Sequence, residues 1–300
     1  MGALVVGQGN AGIRHAELLR LEGYKVKVLS RRDDSELFSE FETGKKSLAE
    51  FDFVLLATES SHHEEFLSQA NFQGFKGRIL VEKPAILSSS TIEKLSEFDA
   101  RVAYNLRYLD GLIRLKSRLQ FCGDLLRIGI QSHSYLPKWR QDSVTRGYYS
   151  EYLEKGGGAL YDLSHEIDYS RLIAGDWSVV GALGGKIGEV TVDADDTWMV
   201  LGLSNSRAHI NLSLSLISRV QVRKILADTK ECSFSLDLLS GELNENGEVF
   251  KGSSVGTTYA EMIRDFTSGP NKTMPTIGEN IKTLQIISEI RRASKELHGV

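Results

Sequence analysis

Cysteine and proline are scarce in this chain: of its 300 residues, two are cysteine and four are proline. Cys122 and Cys232 stand far apart in sequence, so neither a disulfide framework nor a cysteine zinc site is expected, and no metal centre with them. An excess of positive charge is also missing. Lys and Arg number 36 against 40 Asp and Glu, a net charge of −4, and such a chain lacks the basic field on which nucleic-acid affinity rests. No apolar run approaches the ~20 residues that span a bilayer, so no membrane association is expected. The opening Ala3-Leu4-Val5-Val6 has no basic-then-apolar leader, and a cytoplasmic location is the expectation. What is present is ordinary globular usage, 41% hydrophobic and 25% charged. At roughly 150 residues per domain, two domains are expected.

The first hundred residues alternate short apolar runs with helical spacing. Residues 3–6, 26–29, 53–57, 79–81 and 102–104 read as strands buried on both faces. Between them, 11–21 and 63–70 carry apolar residues three to four apart, as an amphipathic helix does. Such alternation means βαβ units and a parallel sheet covered on both sides. From about residue 178 to 237 the pattern changes to strand-like segments in series. In 208–216, Ile210, Leu212 and Leu214 fall on one face and Asn211, Ser213 and Ser215 on the other, so a largely antiparallel sheet is expected. Helical spacing over 158–172 suggests a cover for that sheet, and 277–297 reads as a long helix. The boundary is placed near Asn105, so residues 1–105 are expected to form one α/β domain and 106–300 a second.

The sharpest local signal is Gly7-Gln8-Gly9-Asn10-Ala11-Gly12, which follows the first strand and opens the first helix. Gly7 permits a tight turn, Gly9 lets a pyrophosphate approach the backbone, and Gly12 lets helix and strand pack closely. The helix N-terminus, at Asn10 and Ala11, supplies amide donors and partial positive charge. A plain structural turn is the rival reading. The second strand ends Val28-Leu29-Ser30-Arg31-Arg32, with no acid to accept from a ribose 2′-OH. A hydroxyl beside a guanidinium suits a 2′-phosphate, so NADP is expected in preference to NAD through Ser30 and Arg31. Two exposed arginines in a polar turn are the bland alternative.

Three further strings point the same way: Ala57-Thr58 leading into Ser60-Ser61-His62-His63, Val81-Glu82-Lys83-Pro84, and Gly156-Gly157-Gly158 ahead of Asp162-Leu163-Ser164-His165. In this combination the chain resembles the glucose–fructose oxidoreductase/inositol dehydrogenase/MocA family of NAD(P)-dependent oxidoreductases, over essentially its whole length. The resemblance implies a Rossmann domain joined to an α/β domain with a large open sheet used for oligomer contacts, hence a homodimer or homotetramer. It implies that Lys83 and His165 carry the chemistry with help from Asp162, and that Ala57, Thr58, His63, Glu82 and Lys83 line the cofactor. It also implies a hydride moved between nicotinamide and a carbinol carbon of a sugar, cyclitol or derivative. Two departures stand out: Asp162 and His165 are three apart where four is common in the family, and Glu59 stands where a proline is common.

The residue types suit that chemistry. An alcohol losing hydride must also lose a proton, and a histidine with a pKa near 6.5 can take it. A lysine ammonium beside the oxygen stabilises developing negative charge. On one helix, residues 162 and 165 would share a face, so the carboxylate could orient the imidazole. Taken singly, Lys83 could be a surface lysine and His165 a satisfied core histidine. Asn105, Arg107 and Tyr108 fall where the family often places substrate contacts. Residues 137–155 are rich in aromatic and basic side chains, among them Trp139, Arg140, Arg146 and Tyr149. Aromatic faces pack on sugar C–H faces and arginines grip anions, which suggests an anionic sugar derivative; residues 137–168 are similar to those of oxidoreductases found with bacterial surface-sugar pathways, and that resemblance implies a surface-polysaccharide role. A same-fold imine or linear-tetrapyrrole reductase, and a non-catalytic NAD(P)-binding regulator, are the alternatives.

Several signals carry no site. Position 169, where a zinc-protease helix needs a second histidine after His165-Glu166, is Tyr169. Asp193-Ala194-Asp195-Asp196 lacks the glycine and distal glutamate of a calcium loop. If the Ser30–Arg31 reading holds, Arg31→Ala weakens NADPH about tenfold, or ~1.4 kcal/mol, and leaves NADH nearly unchanged; parallel fluorescence titrations measure both.

Overall fold

The computed structural model describes residues 1–31, 33–42, 45–68, 74–86, 88–139, 149–269 and 273–298. The chain divides into two compact units: Met1–Asn105 with Tyr259–Ile281, and Leu106–Thr258 with Lys282–Val300. The segment Tyr259–Ile281, which the sequence reading leaves in the second domain, therefore clusters with the first.

The first unit is built on five parallel strands, β1 (Gly2–Val6), β2 (Lys25–Leu29), β3 (Phe53–Leu56), β4 (Arg78–Val81) and β5 (Asp99–Val102), in the order β2-β1-β3-β4-β5. The helices α1 (Asn10–Leu21), α2 (Ser35–Glu42), α3 (His63–Ser68) and α4 (Ser89–Leu95) connect them. This is the Rossmann-like sheet expected from the alternating pattern. Leu4, Val6, Val54, Leu56, Ile79 and Val81 are buried on one face and Ala3, Val5, Phe53, Leu55 and Leu80 on the other, which explains why β1, β3 and β4 read as unbroken apolar runs. The last strand lies earlier than the expected 102–104. Ala103 and Tyr104 are apolar because they are buried beyond the strand's end, and the ladder itself begins at Asp99. The free side of β5 is covered: Val102 N–H donates to the Pro275 carbonyl at 3.0 Å, and Arg101 bridges Thr276.

The second unit starts with α5 (Asp110–Leu119) and the long strand β6 (Leu125–Tyr135). Then follow α6 (Ala159–Asp162), α7 (Ser164–Ala174) and seven more strands: β7 (Trp177–Gly185), β8 (Thr197–Ser204), β9 (His209–Ser215), β10 (Ile217–Thr229), β11 (Ser233–Asp237), β12 (Glu242–Glu245) and β13 (Glu248–Lys251). The eight strands form one sheet in the order β13-β12-β11-β10-β6-β9-β8-β7. Every pairing is antiparallel except β6 with β9. Ile210, Leu212 and Leu214 of β9 are buried as the alternation predicts. They join Trp198, Val200, Ile128, Ile130 and Ile225 in a core closed by Leu112, Leu115, Ile167, Ile286 and Ile290. The opposite face keeps Leu183, Met199 and Leu201 exposed, in register with Ser213 and Asn211. The helices α8 (Val255–Ser268) and α9 (Ile277–His298) complete the chain. Among the described residues, no helix is long and apolar enough to cross a membrane.

The two cysteines, distant in sequence, lie close together in space. Cys122 follows α5 and Cys232 lies in the turn between β10 and β11, which brings their sulfurs within 2.6 Å as free thiols. Separation along the chain does not limit approach once β10 is laid beside β6. Burial, and then the hydrogen bond from Cys232, push the Cys122 thiol up to about 11. Glu245 is near enough for its oxygen and the two sulfurs to lie within 4.8 Å of one another. Its carboxylate, however, accepts from the Arg118 guanidinium at 2.6–3.0 Å.

The start of α5 is tied to α7 by a buried ion pair. Arg107 Nε and Nη2 donate to Asp168 at 2.8 and 2.7 Å, with the two side chains 8% and 2% exposed. A charge buried this deeply is tolerable only while paired. Arg107→Ala or Asp168→Ala alone is expected to cost about 3–5 kcal/mol, because the partner charge is stranded. The double replacement Arg107→Met with Asp168→Leu is expected to cost less than either, as read from denaturation midpoints.

Candidate functional site

The glycine string sits where strand becomes helix. Gly7 has φ +112°, and a Cβ there would meet the Ala57 carbonyl oxygen at 2.4 Å, so both conformation and space demand glycine. A Cβ on Gly12 would lie 2.0 Å from the Gly7 oxygen, and close packing of α1 on β1 depends on its absence. Gly9 differs: a Cβ there would meet nothing within 4 Å. Its openness is toward space that the chain leaves empty. Gly9 caps α1 without any side-chain bond, and the first turn has no acidic residue. The helix amides and their partial charge are thus left for an anion. Asn10 is exposed and Ala11 half-buried at this N-terminus. These features fit a dinucleotide pyrophosphate.

Three strand exits surround this loop. Gly7 N–H donates to the Leu29 carbonyl at 2.8 Å, and Ala57 N–H to the Val6 carbonyl at 2.7 Å. After β2, Ser30 is buried and its carbonyl accepts from Asp34 N–H at 3.1 Å. Arg31 reaches Glu65 on α3 at 3.0 Å, with its guanidinium 4.8 Å from the centre of the Phe38 ring. Arg32 lies outside the described residues. After β3, Thr58 Oγ1 and His63 Nδ1 are buried with no hydrogen-bond partner among the described residues. His63 Nε2 lies 3.2 Å from the Thr58 carbonyl. Glu59, at the position where the family resemblance leads one to expect proline, stands 3.8 Å from His62.

After β4 comes Glu82, whose Oε1 lies 2.7 Å from His15 Nε2 on α1 and whose Oε2 accepts from the Lys83 backbone N–H at 3.2 Å. Burial by itself would raise the Glu82 pKa; the bonds to His15 and Lys83 outweigh it and hold the carboxyl below its usual range. Helix α1 and the turn bearing Lys83 are therefore joined by one carboxylate. His15 was not foreseen from sequence, although its place three residues after Gly12 was a usable signal.

The second unit brings together Asp162, Tyr149 and Ser150. Asp162 Oδ1 accepts from Tyr149 Oη at 3.0 Å and from Ser150 Oγ at 3.1 Å. The glycines make this possible: a Cβ on Gly157 would lie 2.2 Å from the Tyr149 oxygen, and one on Gly158, at φ +103°, would lie 2.9 Å from Asp195. Asp195, missed as a contributor, holds the start of α6. Its Oδ2 accepts from Leu160 N–H at 3.0 Å and Trp198 Nε1 at 2.8 Å, and its Oδ1 from Arg291 at 3.0 Å.

The helix expected over 158–172 is interrupted. Leu163, at φ −98° and ψ 27°, separates α6 from α7, so Asp162 and His165 do not share a face by uninterrupted helical spacing. His165 is buried in the first turn of α7, beside a fully buried Glu166 that accepts from Arg223 at 2.8 Å and Tyr169 at 3.1 Å. Asn105 and Tyr108 are buried, Arg107 is committed to Asp168, and Trp139 is 43% exposed. Arg140 and Arg146 lie outside the described residues.

No family model matches the chain, and no curated protein matches it. Solved structures do. An oxidoreductase from Thermotoga maritima superposes with a TM-score of 0.79 at 19% identity, covering 98% of this chain and 96% of the other. UDP-N-acetylglucosamine 3-dehydrogenase from Acidithiobacillus ferrooxidans gives 0.76 at 18%, over 99% and 98% of the two chains. Levoglucosan dehydrogenase in complex with NADH gives 0.76 at 15%, over 99% and 97%. At these identities what is shared is the fold.

Burial is the main cause that lowers His63 from 6.5 to about 4, over the opposing pull of Glu82. The unfolded chain then binds this proton more readily than the folded one, so stability present above pH 6.5 is lost as pH falls toward 4. Thermal melts across that window are expected to show a smaller loss for His63→Gln than for the wild type.

Proposed function

We propose that this protein is an NAD(P)-dependent oxidoreductase that moves a hydride between nicotinamide and a carbinol or carbonyl carbon of a sugar or sugar derivative. The observation that carries the reading is the loop between β1 and α1: an uncapped helix N-terminus beside Gly9, whose missing side chain opens onto empty space. The likeness in fold to solved sugar dehydrogenases supports the same reading. Gly7, Gly9, Asn10, Ala11 and Gly12 would hold the pyrophosphate, Ser30 and Arg31 the adenosine ribose, and Ala57, Thr58, His63, Glu82 and Lys83 the remainder. NADP is the proposed preference, with NAD as the other candidate. The nicotinamide, when bound, supplies or accepts the hydride.

The protein's own residues would manage the proton and the charge. His165 takes the hydroxyl proton of an alcohol substrate, or returns it when a carbonyl is reduced. Lys83 presents an ammonium to the substrate oxygen and lowers the energy of developing negative charge. Its backbone is held by Glu82, which is held in turn by His15. Asp162, fixed by Tyr149 and Ser150, keeps a carboxylate in the second unit for orienting the imidazole or a substrate hydroxyl.

For the substrate, Asn105, Tyr108, Trp139, Arg140, Arg146 and Tyr149 are the proposed contacts, and their chemistry favours an anionic sugar; a surface-polysaccharide pathway is the source that the sequence resemblance implies. Arg107 enters as a residue that steadies this region through Asp168. The exposed Leu183, Met199 and Leu201 support a homodimer or homotetramer formed through the open sheet face.

Lys83→Ala and His165→Ala are each expected to lower turnover of a sugar substrate by 10²–10⁴-fold, the usual worth of a positioned proton-transfer group, with NADPH binding by fluorescence kept in His165→Ala, which lies outside the proposed cofactor contacts. An imine or linear-tetrapyrrole reductase has less need of the Lys83 and His165 pair, so full turnover of such a substrate by either variant would favour that alternative. Failure of the wild type to turn over any sugar while binding NADPH would favour a regulator.

A further inference from the structure

We propose that Glu65 is a specificity-determining residue of the cofactor site, setting how strongly a 2′-phosphorylated dinucleotide is preferred over its unphosphorylated counterpart. The inference rests on the dinucleotide-binding reading above. It begins with an absence: β2 ends in Leu29 followed by Ser30 and Arg31, so no acid stands where a ribose 2′-OH usually finds one. The structure supplies a carboxylate from elsewhere. Strand β1 lies between β2 and β3, so the chain leaving β2 and the chain leaving β3 flank the same glycine turn. Arg31 comes from the first exit, and Glu65 from α3, which follows the second. Their side chains meet with Nη2 3.0 Å from Oε2.

The arginine is held from two sides, by Glu65 and by the face of Phe38, whose centre is 4.8 Å away. Both charged side chains stay accessible, 43% and 50% exposed. An ion pair this open to water is weakly held, so a ligand of sufficient charge can compete for the guanidinium. The two kinds of ribose then meet different chemistry. A 2′-hydroxyl is a hydrogen-bond donor, and the Glu65 carboxylate can accept from it. A 2′-phosphate has no proton to offer a carboxylate at neutral pH. It gains from Arg31 and Ser30, but it must draw Arg31 away from Glu65 and tolerate a like charge beside it. Glu65 therefore lowers the preference for phosphate that Ser30 and Arg31 would give alone, and keeps the unphosphorylated dinucleotide competitive.

The test is direct binding to the purified full chain. Nicotinamide fluorescence gives affinities for NADPH and NADH, and calorimetry with 2′,5′-ADP and 5′-AMP isolates the ribose end without any turnover. Glu65→Gln removes the charge from an exposed position while keeping the side chain's shape. It is expected to move the NADPH-to-NADH affinity ratio toward NADPH about tenfold, ~1.4 kcal/mol, with the same direction for the two adenosine fragments. In an Arg31→Ala background the substitution is expected to move the ratio in the same direction, because the Glu65 carboxylate still accepts from a 2′-hydroxyl and still repels a 2′-phosphate when no guanidinium is left to compete for. An unchanged ratio, or a shift toward NADH, in a variant that binds both cofactors overturns the role of Glu65 and leaves the dinucleotide reading intact. Failure of the wild type to bind any of the four ligands overturns both.

Discussion

The oxygen of Gly7 and the absent Cβ of Gly12 constrain the whole first unit. With 2.0 Å between that oxygen and the place a side chain would begin, helix α1 can lie against β1 only because residue 12 is glycine. The approach has two results. It brings His15, one turn further along α1, to the carboxylate of Glu82 at the end of β4. It also points the uncapped start of the same helix at the open side of Gly9. One packing contact thus places both an uncapped helix N-terminus and the support beneath Lys83. Neither survives if the helix moves outward by the width of a methyl group, because hydrogen bonds weaken steeply beyond their normal length.

The second unit solves a similar problem with a side chain. Asp195 gathers the first amides of α6, the Trp198 indole and the Arg291 guanidinium around one carboxylate. Two glycines then let the segment bearing Tyr149 and Ser150 fold back over it to meet Asp162. The acidic run 193–196, which has the composition of a cation loop, is spent on this scaffolding. Asp193 accepts from Leu153 N–H at 2.8 Å, and Asp196 from the backbone amides of Ile187 and Gly188 at 3.1 and 2.8 Å.

What could be read in the sequence was what is local or periodic. Strands β1, β3 and β4 are buried on both faces and leave unbroken apolar runs; β9 is buried on one and alternates. The glycine string declared its turn because the φ of Gly7 and the approach of Gly12 to the Gly7 oxygen act within six residues. Other features are invisible for definite reasons. The break at Leu163 is hidden because Leu160, Leu163 and Ile167 are all buried, so apolar spacing continues across it. Arg107 resembles a free surface arginine until Asp168, 61 residues away, is placed beside it. The Cys122 and Cys232 pair, the His15 and Glu82 contact, and the Arg31 and Glu65 contact are likewise products of topology, and no spacing rule announces them.

The return of Tyr259–Ile281 to the first unit has a consequence for the order in which the chain can be assembled. Phe266 packs against Phe53 at 5.4 Å between ring centres, and its carbonyl accepts from Arg78 at 2.8 Å. Asn280 donates to the Ala85 carbonyl at 2.8 Å and receives the Tyr104 hydroxyl at 3.3 Å. Until those residues leave the ribosome, β5 has an open edge and the Phe53 ring of β3, packed on Tyr24, lacks its second aromatic partner. A domain whose sheet is made first is therefore completed only near the end of the chain. During synthesis, the unit that reads as an independent amino-terminal domain is an intermediate with a sticky margin, the kind of species from which aggregation and chaperone capture begin.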